Sequence, residues 1–266
     1  MLMSRAATTQ LIYCALFILL LCAPKPGHAQ NGADDPFRFV RWMGTDLKAV
    51  PRALIHPRPV QLGVGAASIF AVSRFDRSLS EELTSWQNRE LMRVFEEVGD
   101  ANAARPAAVL IFAGSLLQDN HRVQDAAFAS LEALIFANIL TNALKELSGR
   151  SRPWQEKGPD HWEPFSGGTS FPSGHATTAF AAVTPWLIYF PHPLSYIAAG
   201  VAATTSISRT ALRFHWPSDI VAGGFIGYSV SAWLVRRHTS AEEELVEDRV
   251  SPIIGPSTLG VRLSIR

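Results

Sequence analysis

Six segments of this chain, residues 59–73, 106–117, 126–144, 176–190, 194–207 and 220–235, are apolar and rich in glycine and alanine. Strict alternation of apolar and polar residues is missing from them, so a half-buried strand does not fit. Runs such as Ala198-Ala199-Gly200-Val201-Ala202-Ala203 suit helices that approach one another closely. The expectation is an all-α fold with a six-helix core bundle around one site. A membrane span needs about 20 apolar residues, and shorter runs more often mark buried helices. Glu132, Asn138 and Asn142 also interrupt the longest segment. Length alone therefore favours a globular or half-embedded bundle.

The rest of the chain is organised around these segments. Arg5, an apolar run from Leu11 to Cys22 and the small-x-small triplet Gly27-His28-Ala29 form a secretory leader, with cleavage expected before Gln30. Both cysteines, Cys14 and Cys22, lie in that leader, so a chain cut at Ala29 would hold no thiol for a disulfide or for thiolate chemistry. Residues 30–58, with several arginines, Trp42 and three prolines, read as an irregular or amphipathic lead-in. Between the first two apolar segments, Leu79, Leu83, Trp86, Leu91, Val94 and Phe95 recur at helical spacing among charges, which predicts an amphipathic surface helix within 74–105. The domain division expected is a signal peptide at 1–29, the lead-in at 30–58, a helical domain at 59–237 and a tail at 238–266. In the tail, Glu242 to Glu244 read as a solvated helix end. Val261, Leu263 and Ile265 alternate with Arg262, Ser264 and Arg266 after Gly255-Pro256 and Gly260, which predicts a short C-terminal β-hairpin. A formal charge of +1 makes nucleic acid a poor partner.

Three short stretches carry the chemistry. His215 precedes Trp216-Pro217-Ser218-Asp219 and an apolar segment, and Pro217 suits a first helical turn. Asp219 can then reach the imidazole, fix its tautomer and leave the other ring nitrogen free to attack. In 170–176 a loop turns into a helix. Gly174 lets the backbone approach a ligand, the helix-start amides attract phosphate oxygens, and Ser173 and Gly174 supply neutral donors. His175 is placed there to protonate a departing alkoxide. Lys145, Arg152 and Arg209 supply fixed positive charge, arginine matching phosphate oxygens in pairs and lysine acting as a compact charge. Arg150 and Arg213 lie beside these positions. The loop 154–171 holds Trp154, Trp162 and Phe165, which suit either a lid and acyl-chain wall or simple packing. His28, His56, His121, His192 and His238 show no metal-like pairing in the sequence, so no metal site is expected.

The order Lys145-x6-Arg152-Pro153, then Pro172-Ser173-Gly174-His175, then Ser208-Arg209-x5-His215-x3-Asp219 resembles the signature of the type 2 phosphatidic acid phosphatase and vanadium haloperoxidase superfamily. All eleven specified positions are filled, so an accidental match is negligible. The resemblance implies that His215 is the nucleophile of a phosphohistidine intermediate, with Asp219 as its orienting partner. It further implies that His175 is the general acid and that Lys145, Arg152, Ser173, Gly174 and Arg209 bind phosphate. The activity expected is metal-independent hydrolysis of a phosphate monoester or pyrophosphate, most naturally of a lipid, with no cofactor and no obligate protein partner. The alternatives are a vanadate-dependent haloperoxidase, a soluble periplasmic acid phosphatase acting on small phosphate esters and, last, a non-catalytic lipid-binding protein. The group's many integral membrane lipid phosphatases, and Arg236-Arg237 after the last apolar segment, point to membrane association. A cleaved leader followed by three spans would leave Lys145 and Arg152 on the cytoplasmic side. Export is therefore compatible with a periplasmic bundle, or with one early segment that does not cross. The site is expected to face the periplasm.

Overall fold

The computed structural model describes residues 38–55, 59–85, 89–98, 101–255 and 258–263, and the expected leader lies outside them. Nine α-helices run in chain order among the described residues: α1 (Arg38–Ile55), α2 (Pro59–Ser73), α3 (Asp76–Ser85), α4 (Arg89–Val98), α5 (Ala101–Ser115), α6 (His121–Ser148), α7 (Gly174–Tyr189), α8 (Pro193–Ala211) and α9 (Pro217–Arg249). Each of the six apolar segments lies within or largely within one of them. The fold is all-α, with a one-turn 3-10 helix at Pro153–Gln155 and a small antiparallel hairpin of β1 (Val250–Gly255) and β2 (Thr258–Leu263) as additions. Gly260 stands inside β2 opposite Ile253 and not in the turn.

One expectation is narrowed and another corrected. Of the two readings of the lead-in the amphipathic one holds over 38–55, which forms the helix α1, anchored by packing. Phe39 is buried with ring centroids 5.0 Å from Phe112 and 4.8 Å from Phe128, and Arg38 donates to Asp125 at 2.9 Å and to Gln124 at 2.7 Å. The 74–105 stretch holds two separate helices before α5, α3 ending at Ser85 and α4 starting at Arg89. The break lets both lie against α8, where Thr205 donates to the Phe95 carbonyl at 3.0 Å.

Helix α7 is central, packed by α6, α8 and α9, with α5 across its flank. Small residues make this possible. Ala126, Ala129, Ala133 and Ala137 on α6 and Ala176 and Ala181 on α7 are fully buried. On α9, a β-carbon at Gly223 would sit 2.3 Å from the Ser173 carbonyl, and one at Gly227 would sit 2.5 Å from the Thr177 carbonyl. The four-residue spacing of these glycines puts both on one face and lets the α9 backbone lie directly on α7. The polar residues inside the apolar segments are stitched across the same interfaces. Thr141 meets Thr177 at 2.9 Å, Ser130 donates to the Ala182 carbonyl at 2.9 Å, and Thr178 donates to Asn138 at 3.1 Å. Asn138 is thus satisfied within the bundle.

Helix α6 begins with Asn120 capping the Val123 amide and ends at Gly149, whose φ of 54° closes the last turn by donating to the Lys145 carbonyl at 3.0 Å. Because α6 and α8 end where α7 and α9 begin, the three signature stretches fall at one end of the bundle. Replacing Gly227 by valine should force α9 off α7 and cost about 1–3 kcal/mol from overpacking alone. A thermal melt checks this, and an unchanged Tm would contradict the close crossing.

Candidate active site

Four helix termini meet here, and each presents one part of the site. Lys145 lies in the last turn of α6, and Arg152 follows in the connection to the 3-10 helix. Ser173 caps α7, its Oγ accepting from the Ala176 amide at 3.4 Å, and places Gly174 and His175 in the first turn. Arg209 is in the last turn of α8, His215 in the loop that follows, and Asp219 in the first turn of α9. The Ser173 amide donates to the Asp219 backbone carbonyl at 2.9 Å, which locks the start of α7 against the start of α9. His175 is within electrostatic reach of Arg209, His215, Lys145 and Arg152, so all eight expected residues come together.

The imidazole of His215 is buried, 2% exposed. Its Nδ1 is 2.8 Å from the Ser170 carbonyl oxygen, which can only accept, so Nδ1 carries the proton and Nε2 keeps its lone pair. The expected direct hydrogen bond from the ring to Asp219 is absent, because Asp219 Oδ2 is 3.7 Å from Nδ1. Its carboxylate acts on the ring as a nearby charge and holds the loop that aims it. Asp219 Oδ2 accepts from Ser170 Oγ at 2.5 Å and from the Trp216 amide at 2.9 Å. Burial pushes the His215 pKa down to about 4 against the pull of Asp219, with Lys145 and Arg152 adding to the depression. The ring is therefore neutral at ordinary pH, as a nucleophile requires.

Arg150 is the residue that sequence reasoning placed at the margin, and it is buried at the centre of the support. Its guanidinium donates to Asp219 Oδ1 at 2.6 Å, Asp76 Oδ2 at 2.7 Å, Ser218 Oγ at 2.8 Å and the Pro159 carbonyl at 2.7 Å. The rings of Trp162 and Trp216 lie 4.6 Å and 5.8 Å from it. Asp76, at the start of α3, also accepts from the Ser218 amide at 2.8 Å. Asp76, Ser170 and Ser218 carried no sequence signal, since an acidic residue opening a helix reads as an ordinary cap. Arg213 ties the loop before His215 to the Pro153 carbonyl and to Glu156, both at 3.0 Å.

The loop 154–171 is tied to the body along its length. The Ser151 amide donates to the His161 carbonyl, the Phe165 amide to the Glu146 carbonyl and the Ser170 amide to the Arg150 carbonyl. The Trp162 ring covers the Arg150 guanidinium yet stays partly open to solvent, and Phe165 is 73% exposed.

The cations face one another without enough carboxylate to neutralise them. Lys145 Nζ donates to the Thr169 carbonyl, and Arg152 Nε is buried with no hydrogen-bond partner. Burial, and after it the charge of Arg209, pushes the Arg152 pKa below its ordinary value. A buried, partnerless donor among like charges is suited to an oxyanion with several acceptor oxygens.

Residues 126–242 match the family model of the PAP2 superfamily. A lipid A 1-phosphatase of Rhizobium johnstonii is 35% identical over 96 residues, 34% of this chain and 38% of that protein. An undecaprenyl-diphosphatase of Sulfolobus acidocaldarius is 26% identical over 116 residues, 43% of this chain and 56% of that protein. The chain thus matches about two fifths of the Rhizobium relative and just over half of the Sulfolobus one. The crystal structure of a transmembrane PAP2 type phosphatidylglycerolphosphate phosphatase from Bacillus subtilis shares the fold. Its TM-score is 0.50 at 21% identity, over 77% of this chain and 97% of that one. The segment 126–242 is a PAP2 superfamily domain, and the bundle around it has that family's fold.

Two predictions follow from the geometry. Arg150→Gln leaves Asp76 and Asp219 buried without their counter-charge and should cost about 3–5 kcal/mol, read as a fall in the denaturation midpoint. The His215 shift sets a pH dependence of stability. The unfolded chain takes up the proton near 6.5 while the native ring takes it up only near 4, so stability from this group is present above 6.5 and is lost as pH falls toward 4. His215→Gln should flatten the Tm-against-pH curve in that window, and an unchanged slope would contradict a buried neutral ring.

Proposed function

We propose that this protein is a membrane-associated phosphatase that hydrolyses the phosphate monoester or pyrophosphate of a lipid through a phosphohistidine on His215. The observation that carries this reading is the convergence of an unprotonated His215 Nε2 on a cradle of three cations at the opening of α7. In the proposed reaction Nε2 attacks phosphorus in line, the N–P bond forms and the bond to the leaving oxygen breaks. His175, whose pKa burial and the charge of Arg209 push down to about 3, takes up a proton once the phosphate anion offsets the surrounding cations and gives it to that oxygen, and water then hydrolyses the phosphohistidine. Lys145, Arg152, Arg209, the Ser173 hydroxyl and the Gly174 amide hold the equatorial oxygens as negative charge accumulates on them. A site lined by fixed cations repels a divalent ion, so the chemistry is read as metal-independent.

The relatives whose names specify lipid A and undecaprenyl diphosphate support a lipid substrate. So does the surface. Helices α6 and Pro217–Thr239 of α9 are long and apolar enough to cross a membrane. Phe70, Leu110 and Ile139 are each about two-thirds exposed, more large apolar surface than a water-soluble bundle leaves bare. A cavity of about 520 Å³, bordered by Arg77, Glu81, Thr84, Arg213 and Trp216, opens beside Pro153. Its arginines and hydroxyl offer donors to a sugar-phosphate headgroup. The helical domain is assigned to 59–237 behind a cleaved leader, with the site facing the periplasm.

Phosphate release should be measured on lipid A, phosphatidylglycerol phosphate, undecaprenyl diphosphate and a small aryl phosphate. The lipids should be turned over far faster than the aryl ester, and His215→Ala should abolish release, by roughly a thousandfold or more, while helicity is retained. An alkaline quench of turnover on radiolabelled substrate should trap acid-labile phosphate on the wild-type chain only. Comparable activity of His215→Ala would remove the assignment, and preference for the aryl ester would favour a soluble acid phosphatase. Arg77→Ala should raise KM for the headgroup-bearing lipids with kcat little changed.

A further inference from the structure

Far from the phosphate cradle, a second set of titratable side chains is sealed inside the bundle. His238 lies nineteen residues along α9 from Asp219, or about 28 Å at the helical rise. Its imidazole is 1% exposed, and it meets Asp46 of α1, also 1% exposed, and Glu132 of α6, fully buried. The sequence expectation that His238 has no metal-like pairing does not survive this arrangement. The three residues come from three helices distant in the chain, so no spacing could display them.

The donor atoms lie close enough to share one centre, although His238 and Asp46 also stand at hydrogen-bond distance. His238 Nε2 is 2.8 Å from Asp46 Oδ2 and 3.4 Å from Glu132 Oε2, and one donor atom from each residue lies within 4.8 Å of the others. Two ligands each about 2.1 Å from one cation are separated by about 3.0 Å in octahedral and about 3.4 Å in tetrahedral geometry. Neither oxygen of Glu132 has a hydrogen-bond partner, which is costly for a carboxylate with no access to water. Asp46 Oδ1 is held by Arg237 Nε at 2.5 Å, the outer support that orients a ligating carboxylate. Trp42 stacks on the imidazole at 4.1 Å and Phe128 lies 6.0 Å away, closing the pocket with apolar surface.

We propose that Asp46, Glu132 and His238 form a binding site for a first-row divalent transition metal ion, which clamps α1 to α6 and α9. Two carboxylates balance the ion's charge. The imidazole nitrogen selects zinc, manganese or iron over calcium or magnesium, which favour oxygen ligands throughout. The ion's role is structural, since the reacting groups lie at the other end of the bundle. This inference does not depend on the phosphatase reading.

The test uses the full chain purified in detergent, stripped with a chelator and dialysed against Zn²⁺. About one zinc per chain should remain after removal of free ion, and zinc should raise the Tm of the stripped protein by several degrees. Co²⁺ in place of zinc should give visible d–d bands of nitrogen and oxygen ligation, a readout that needs no variant. Glu132→Gln and His238→Gln, checked for helicity, should each lose the bound zinc and the Tm response. Failure of the wild-type chain to retain zinc or cobalt would overturn the site and leave a metal-free cluster of His238 between two carboxylates. Zinc retained equally by both variants would overturn it as well. Phosphate release assayed in parallel separates the two readings. A stripped chain that melts earlier yet still hydrolyses substrate in the cold supports both, whereas loss of hydrolysis on stripping, restored by zinc, overturns the structural role.

Discussion

The guanidinium of Arg150 is the group on which the site depends. It is buried, and each of its partners holds a different piece of chain: Asp76 the start of α3, Asp219 and Ser218 the start of α9, and Pro159 the long loop. A buried cation is tolerated only when its charge and its donors are met, and two buried carboxylates with two further acceptors meet them here. Asp219, held in this way, fixes Ser170 through its hydroxyl, and the Ser170 carbonyl sets the tautomer of His215. Three hydrogen bonds therefore run from a residue with no expected role to the ring proposed to attack phosphorus. Asp219 acts by organising this chain of contacts more than by touching the imidazole.

The same electrostatics explains why the cradle needs so rigid a support. Lys145, Arg152 and Arg209 repel one another, and in partly buried surroundings that repulsion is screened far less than in water. Folding holds them together because helix ends and tight loops leave each side chain little freedom. Lys145 is tied to the Thr169 carbonyl, Arg152 sits behind the 3-10 helix, and Arg209 lies over the Phe214 ring at 4.2 Å. In the proposed reaction, the stability given up in gathering these charges would be recovered when an oxyanion binds, and more fully when its charge grows in the transition state.

The helices and the eight cradle residues were legible because they follow local rules. Apolar content and Gly/Ala density mark α2 and α5 to α9, and the ligand-facing residues keep fixed spacings around helix ends. What was hidden is long-range. The partnership of Arg150 with Asp76 spans 74 residues, and Asp76 looks like any acidic residue at a helix N-terminus. The Ser170 carbonyl has no side-chain identity to read. Helix α1 was read only as an irregular or amphipathic lead-in, because its anchors, Phe39 on Phe112 and Phe128 and Arg38 on Asp125, belong to partners far along the sequence. The tight glycine contacts between α9 and α7 were implied by composition, but which glycines face Ser173 and Thr177 depends on the crossing itself.

The polar residues that break up the longest apolar segment were the main reason to doubt that it spans a membrane, and their contacts change the weight of that doubt. Asn138 is engaged by Thr178 and Glu132 faces Asp46 and His238, so these two point into the bundle, whereas Asn142 is exposed near the end of the helix. The opposite face of the same helix carries Ile135 and Ile139, both exposed. A helix in lipid needs only its outer face to be apolar, and polar groups turned inward and paired are compatible with the hydrocarbon region. Mean hydropathy over the segment averages two faces that meet different surroundings. Partitioned by face, α6 reads as one wall of a bundle whose exterior is suited to acyl chains and whose interior holds the polar contacts.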